Sequence, residues 1–313
     1  MNILKLDKSY QSQSFRGVAL GNFDGVHLGH QQLLKVVREE SQSQNLCPSV
    51  YTFLNHPRKH QGETTLKEIT SLQKKAELFA GAGIKELILS PFNNEIKNMK
   101  PEDFIQKIVV EQLKSKLIVV GFDYRFGKKA GANSTLLKEM GKTMGFQVKI
   151  IEPYNFEGEK ISSSKIRGLI EEGEVSMMEK YLGRYYSIRG PVIRGMGLGT
   201  TLGFPTANIK IDSNQILPKS GVYATYSKVD DKIYPSVTSV GHQPKFNDRS
   251  AEVESFFMNY EGNLYSRTVE TIFVKFLRGQ ISFENPGILS RQIEKDAKEA
   301  KLHLHSRTDM INY

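Results

Sequence analysis

At 313 residues the chain exceeds the size at which one hydrophobic core usually stops growing, so two domains are expected. Hydrophobic residues at 39% and charged residues at 25% exclude a disordered chain, and the lack of any apolar run of about 18 residues excludes a membrane-spanning helix. The single cysteine, Cys47, excludes internal disulfides and fits a cytoplasmic protein, while a net charge of +9 with no basic tail or dense Lys/Arg block suits nucleic acid, phosphate-rich small substrates or a plain solvated surface, the last carrying most weight.

The first half alternates strands and helices. Val18-Ala19-Leu20 is a short apolar run stopped by Gly21, and a helical pattern follows from Gly29 to Glu40 with Leu33, Leu34 and Val37 on one side. Ser49 to Leu54 reads as a strand, a helix carrying Leu72, Ala76, Leu78 and Phe79 comes next, and Glu86 to Ser90 is again a strand. Pro101 and the two acids after it open a helix that runs to Leu113. Leu117 to Val120, bounded by Gly121, has the unbroken apolar character of a buried parallel strand, and Phe146 to Ile151 is another. Strands separated by helices predict a parallel α/β sheet.

The character changes after a short helical run, Ser176–Tyr181, which places a boundary near Tyr181–Tyr186. The segments Ser187–Ile193, Gly221–Val229, Lys232–Val240, Glu252–Tyr260 and Val269–Phe276 are β-rich and punctuated by Gly, Pro, Asn and Asp. They predict a small antiparallel barrel or sandwich. Ile288, Leu289, Ile293 and Ala297 recur at helical spacing, so a terminal helix from Pro286 to Leu302 packs on it.

Chemistry concentrates at the ends of these elements. Gly21-Asn22-Phe23-Asp24-Gly25-Val26-His27-Leu28-Gly29-His30 joins the first strand to the first helix, where an open parallel sheet binds ligands and where helix N–H groups attract phosphate. His27 and His30, three apart, share a helical face and can donate to phosphoryl oxygens. A zinc site there would lack the carboxylate of His-Glu-x-x-His. Ser162, Ser163 and Ser164 precede a helix whose first turn holds Lys165 and Arg167; cations in that turn oppose the helix dipole unless an anion sits between them. Asp123, Tyr124, Arg125 and Phe126 follow another buried strand and combine a charge for phosphate with rings that can stack on a flat group.

In the second half, Gly195, Gly197 and Gly199 form a loop ahead of Gly203-Phe204-Pro205-Thr206-Ala207-Asn208. Thr206 and Asn208 place two neutral oxygen ligands two residues apart, as Mg²⁺ prefers. Glu254 is either a solvated strand charge or a base for an attacking hydroxyl.

The ordered set GNFDGVHLGH, His56-Pro57, GFDYRFG and ISSSKIR resembles the adenylyltransferase module of bacterial bifunctional FAD synthetases (riboflavin kinase/FMN adenylyltransferase). GFPTAN, Gly221-Val222-Tyr223-Ala224, Ser236-Val237 with Gly241, Val253-Glu254-Ser255 and Asn263-Leu264-Tyr265 resemble the riboflavin kinase module. The resemblance implies a Rossmann-like nucleotidyltransferase domain over 1–186 and a six-stranded antiparallel barrel with a terminal helix over 187–313. It implies AMP transfer from ATP to FMN (2.7.7.2) and phosphorylation of riboflavin (2.7.1.26). Gly21, Asn22, Phe23, Asp24, His27, Gly29 and His30 would hold the triphosphate, and Ser162, Ser163 and Arg167 the leaving pyrophosphate. Asp123, Tyr124, Arg125 and Phe126 would lie on the flavin side. In the barrel the loop Gly195, Gly197 and Gly199 would meet ATP, Thr206 and Asn208 would coordinate Mg²⁺, and Glu254 would be the base.

Three positions depart from the kinase pattern: Thr200 stands where an arginine is usual, Lys245 where a threonine is usual, and Ser266 where a glycine is usual. They leave open a monofunctional FAD synthetase with a weakened barrel. A flavin-responsive RNA-binding regulator is the reading from another class; the lack of an aromatic RNA-binding motif or Lys/Arg stripe weighs against it. The expected partners are therefore small molecules only, with neither membrane nor nucleic acid, acting on a monomer or weak homo-oligomer.

Overall fold

The computed structural model describes residues 1–7, 12, 14–57, 65–195, 203–242, 251–283 and 285–304. The chain divides into two compact units, Met1–Ser163 and Ser164–Tyr313. This seam lies ahead of the Tyr181–Tyr186 junction read from the sequence.

The first unit is built on six parallel strands: β1 (Asn2–Lys5), β2 (Arg16–Leu20), β3 (Cys47–Phe53), β4 (Glu86–Ser90), β5 (Ser115–Gly121) and, after the two-residue strands β6 (Arg125–Phe126) and β7 (Ala132–Asn133), β8 (Gln147–Ile151). Their order across the sheet is β1-β4-β3-β2-β5-β8. Every residue of β2 is buried, which follows from cover on both faces. Ala19 belongs to the cluster with Leu34 and Val37 of α1 (Leu28–Ser43) and Phe79 of α2 (Leu72–Gly81). Val18 and Leu20 belong to the opposite cluster, with Phe104, Ile105, Ile108 and Val109. This alternation is the period of two that a strand imposes.

The connections from β2 and β5 run to opposite sides of the pair, so their carboxyl ends flank the point where the strand order reverses. An open α/β sheet binds ligands in that crevice. The His-x-x-His turn leaves β2 and the GFDYRFG segment leaves β5, so the topology brings two of the sequence motifs to one end of adjacent strands.

The short helices α3 (Asn94–Asn98) and α4 (Pro101–Asp103) lead to Phe104–Gln112, which the sequence marks as ordinary helix but which winds as a π-helix. The Leu113 N–H bonds to the Ile108 carbonyl, five residues back, and this wider turn puts Phe104, Ile105, Ile108 and Val109 together against the sheet. Helix α5 (Ser134–Met144), capped by the Asn133 side chain on the Leu136 N–H, covers β8. The hairpin β9 (Asn155–Phe156) and β10 (Glu159–Lys160) completes the unit.

The second unit starts with α6 (Ser163–Glu172), whose first residue lies at the seam, and α7 (Met178–Leu182). A closed antiparallel barrel follows, ordered β11-β12-β15-β14-β13-β16, from β11 (Tyr186–Ile193), β12 (Thr206–Ile209), β13 (Gly221–Val229), β14 (Lys232–His242), β15 (Ala251–Phe257) and β16 (Thr268–Arg278). Thr225, Ser227, Ser236, Thr238 and Ser255 are fully buried and satisfy one another, with oxygen separations of 2.7–2.8 Å.

Helix α8 (Pro286–Leu304) packs on β13, β14 and β16. Asp296, 3% exposed, takes both Arg278 Nε (3.0 Å) and Nη2 (2.6 Å) of β16 and also accepts from Gln292 at 2.7 Å. Removing one partner of such a buried pair strands the other charge, so Asp296→Ala is expected to cost about 3–5 kcal/mol of unfolding free energy, read from a denaturant titration of the barrel transition.

Candidate active sites

Two constellations emerge, one in each unit. In the first, the chain leaves β2 through a turn in which Phe23, Gly25 and Val26 all have positive φ (50°, 85° and 41°), a contorted path that packing must hold. Phe23 is fully buried against Phe79, with ring centres 5.5 Å apart. The Asp24 carboxylate accepts from the backbone N–H groups of Ile69 and Thr70 (3.0 and 3.3 Å), so its side chain fastens the turn to that segment. The Gly21 N–H donates to the Tyr51 carbonyl, and the Asn22 carbonyl accepts from Thr52 Oγ1 at 3.3 Å.

His27 is the N-cap of α1: its Nδ1 accepts the His30 N–H at 3.3 Å. In a neutral imidazole that leaves the proton on Nε2, which becomes a donor at a helix N-terminus. The two imidazoles stack at 3.7 Å, 17° from parallel, and Phe23 closes on His30 at 5.2 Å. Gly29 permits this: a Cβ there would stand 3.2 Å from His27 Nδ1. Burial, then His27, then Lys75 hold the His30 imidazole well below its usual pKa, so the ring is uncharged near neutrality.

Ser163 Oγ donates to the Asp24 carbonyl at 2.9 Å, so the serine segment and the histidine turn meet. Ser162 is half-buried beside it in sequence, and Arg167, one helical turn beyond Ser163, is buried in the second unit. His56 and Pro57 line a small cavity with Asn22, Phe53, Leu54, Glu68, Leu72 and Lys75.

Past β5 the aromatic residues separate by role. Phe126 is buried beside Phe104 at 5.8 Å, and Tyr124 stacks on Phe126, so both support the loop from within. Phe122, absent from the sequence-based set, is the exposed ring, with Lys160 Nζ 4.3 Å from its centre. Lys160 also pairs with the exposed Asp123 at 2.5 Å, and Arg125 is exposed.

The second constellation stands on the outside of the barrel. In β12, Ala207 and Ile209 are buried while Thr206 and Asn208 alternate to the other face. Asn208 pairs with Glu254 and Thr206 with Phe256 across β15, so the two oxygen donors and the carboxylate share one face. Phe204 flanks this face, edge-on to Phe256 at 5.2 Å. Gly195 approaches so closely that a Cβ on it would lie 2.1 Å from Asn208 Nδ2. Gly197, Gly199, Thr200 and Lys245 fall outside the described residues. Gly195→Ala should therefore push the Asn208 side chain aside. The expected result is a shifted Asn208 side-chain amide NMR signal with an unchanged melting curve, and an unmoved signal would contradict the close approach.

A parallel sheet with a helix-N-terminal histidine pair at its switch point, followed by a barrel with Thr, Asn and Glu on one face, is an arrangement suited to holding nucleotide phosphates. Residues 9–165 match the FAD synthetase family and residues 182–304 the riboflavin kinase family. The chain is 33% identical over 287 residues to the bifunctional riboflavin kinase/FMN adenylyltransferase of Listeria monocytogenes, covering 91% of each, and 32% identical to that of Bacillus subtilis, covering 94% of each. The crystal structure of a protein from Streptococcus pneumoniae described as a macrolide-efflux protein superposes with a TM-score of 0.87 at 27% identity, over 96% of this chain and 99% of that one. The chain belongs to the bifunctional riboflavin kinase/FMN adenylyltransferase family. Among the described residues no helix is long and apolar enough to cross a membrane.

Proposed function

We propose that the two activities of the family, FMN adenylylation and riboflavin phosphorylation, run in this chain at the two constellations just described, within domains spanning 1–186 and 187–313. The observation that carries the first assignment is the stacked His27–His30 pair on the N-terminus of α1. There a phosphate oxygen of FMN attacks the α-phosphorus of ATP, the bond to the bridging oxygen breaks, and pyrophosphate leaves. Such in-line displacement needs alignment and stabilised charge rather than a protein nucleophile. His27 Nε2–H, His30 and the α1 amides donate to the phosphoryl oxygens, with Gly21, Asn22 and Gly29 letting the backbone approach. Ser162, Ser163 and Arg167 carry over from the motif as the group that receives pyrophosphate. Phe122, Asp123 and Arg125 offer the flavin side an exposed ring and charges, with Tyr124 and Phe126 beneath them.

At the barrel, Glu254 takes the proton of the ribityl 5′-hydroxyl as that oxygen attacks the γ-phosphorus of ATP, and ADP leaves. The neutral oxygens of Thr206 and Asn208, on one face and opposite a carboxylate, fit a hard divalent cation. Mg²⁺ held there by Thr206 and Asn208 would supply positive charge to offset that of the phosphates. Such substrates and the single cysteine support a cytoplasmic place for the enzyme.

The test is incubation with ATP and Mg²⁺, starting from riboflavin or from FMN, with the flavins resolved by chromatography. FAD should form from both, with FMN as intermediate in the first. FAD from FMN but no FMN from riboflavin would leave the barrel assignment without support.

A further inference from the structure

We infer that Lys75 is a positioning residue for AMP transfer: its buried ammonium anchors the Asn22 end of the phosphate turn beside the stacked histidine pair. The inference rests on the assignment of that turn to AMP transfer. Lys75 is 6% exposed, unusual for a lysine, and lies on the inward face of α2 with Phe79 one turn further on. It sits at the end of the first turn of that helix, where a cation opposes the dipole, and no acid of that turn offsets it. A long polar side chain on this buried, apolar face of α2 is not accounted for by packing alone.

Its contacts point to the site. Nζ stands 3.5 Å from the Asn22 carbonyl, which Thr52 also holds, and 3.9 Å from Glu68. An ammonium has three donors, and these two long contacts are those it makes among the described residues. Burial first, then His27 of its own turn and Lys75 of α2, disfavour protonation of His30. The cation therefore helps keep the His30 imidazole neutral when the polyanionic triphosphate arrives, a charge that would otherwise pull a proton onto it.

Lys75→Met keeps the stem and removes the charge, and Lys75→Arg keeps the charge and moves the head group. In the full-length enzyme, Lys75→Met should lower kcat/KM for FMN adenylylation about 10- to 100-fold, the worth of one charge-assisted hydrogen bond. It should also move the acid limb of the pH profile upward, because losing a cation makes His30 easier to protonate; Lys75→Arg should restore the limb. The His30 ring-proton NMR titration reports the same shift without activity, and the wild-type ring should titrate well below 6.5. A fall in kcat/KM with neither limb nor His30 titration moved would mean a direct ATP contact or a structural role and would overturn the inference, as would wild-type kinetics. Should Lys75→Met fail to fold, a wild-type His30 titrating near 6.5 overturns it equally. His30→Ala, run in parallel, separates the two claims: full activity in that variant removes the site assignment itself, whereas its loss beside a normal Lys75→Met removes only the role of Lys75.

Discussion

His30→Ala is expected to lower FMN adenylylation by about 100-fold or more, the scale of removing one preorganised donor from a developing charge, or about 2.7 kcal/mol of transition-state stabilisation. The substitution removes the ring that stacks on His27 at 3.7 Å and packs on Phe23, but keeps the backbone N–H that His27 Nδ1 accepts. The cap of α1 therefore survives, and the loss should appear in kcat more than in the melting curve. Riboflavin phosphorylation in the same preparation should stay at the wild-type rate, since its residues belong to the barrel. Because burial, His27 and Lys75 all hold His30 low, wild-type adenylylation should persist below pH 6.5, declining only when the ring finally takes a proton.

Glu254→Gln is expected to reduce riboflavin phosphorylation by about 10²- to 10⁴-fold, the usual worth of a positioned general base. The amide preserves the shape of the side chain opposite Asn208, and the inward neighbours Val253 and Ser255 remain in the barrel core, so folding should be untouched. Adenylylation of supplied FMN should proceed as before. The measurement is initial-rate formation of FMN from riboflavin, with FAD formed from FMN as the internal control; a kinase rate within a few-fold of wild type would move the base elsewhere.

Most of the architecture was legible because the signals are strong where both faces of a strand are buried. Val18–Leu20 and Leu117–Val120 read as unbroken apolar runs and are the centre of the sheet. The β1 segment Asn2–Lys5 was not read, because an edge strand with mostly exposed residues carries no alternation. The sixth barrel strand, Thr206–Ile209, is four residues long, and its motif spoke of ligands rather than of a strand. The π-helix at Phe104–Gln112 shares its apolar content with an α-helix, and a short apolar segment cannot tell the two pitches apart.

At the first site the histidine pair, the glycine turn and the serines were visible as residue types at fixed spacing. The inward turn of Phe126 and the exposure of Phe122 were not, since alternating aromatics after a strand give no sign of which face packs. Lys75 escaped because a lysine reads as solvated. The available signal was its spacing: Leu72, Lys75 and Phe79 lie on the apolar stripe of α2, a place where a charge is costly.

The most direct measurement mixes the two variants. His30→Ala should convert riboflavin to FMN and stop; Glu254→Gln should convert FMN to FAD but not begin from riboflavin. Combined in one tube with riboflavin, ATP and Mg²⁺, they should again produce FAD, because FMN released by one enzyme serves the other. A mixture that stays at riboflavin or at FMN, or a single variant that loses both steps at once, would contradict two independent sites in one chain.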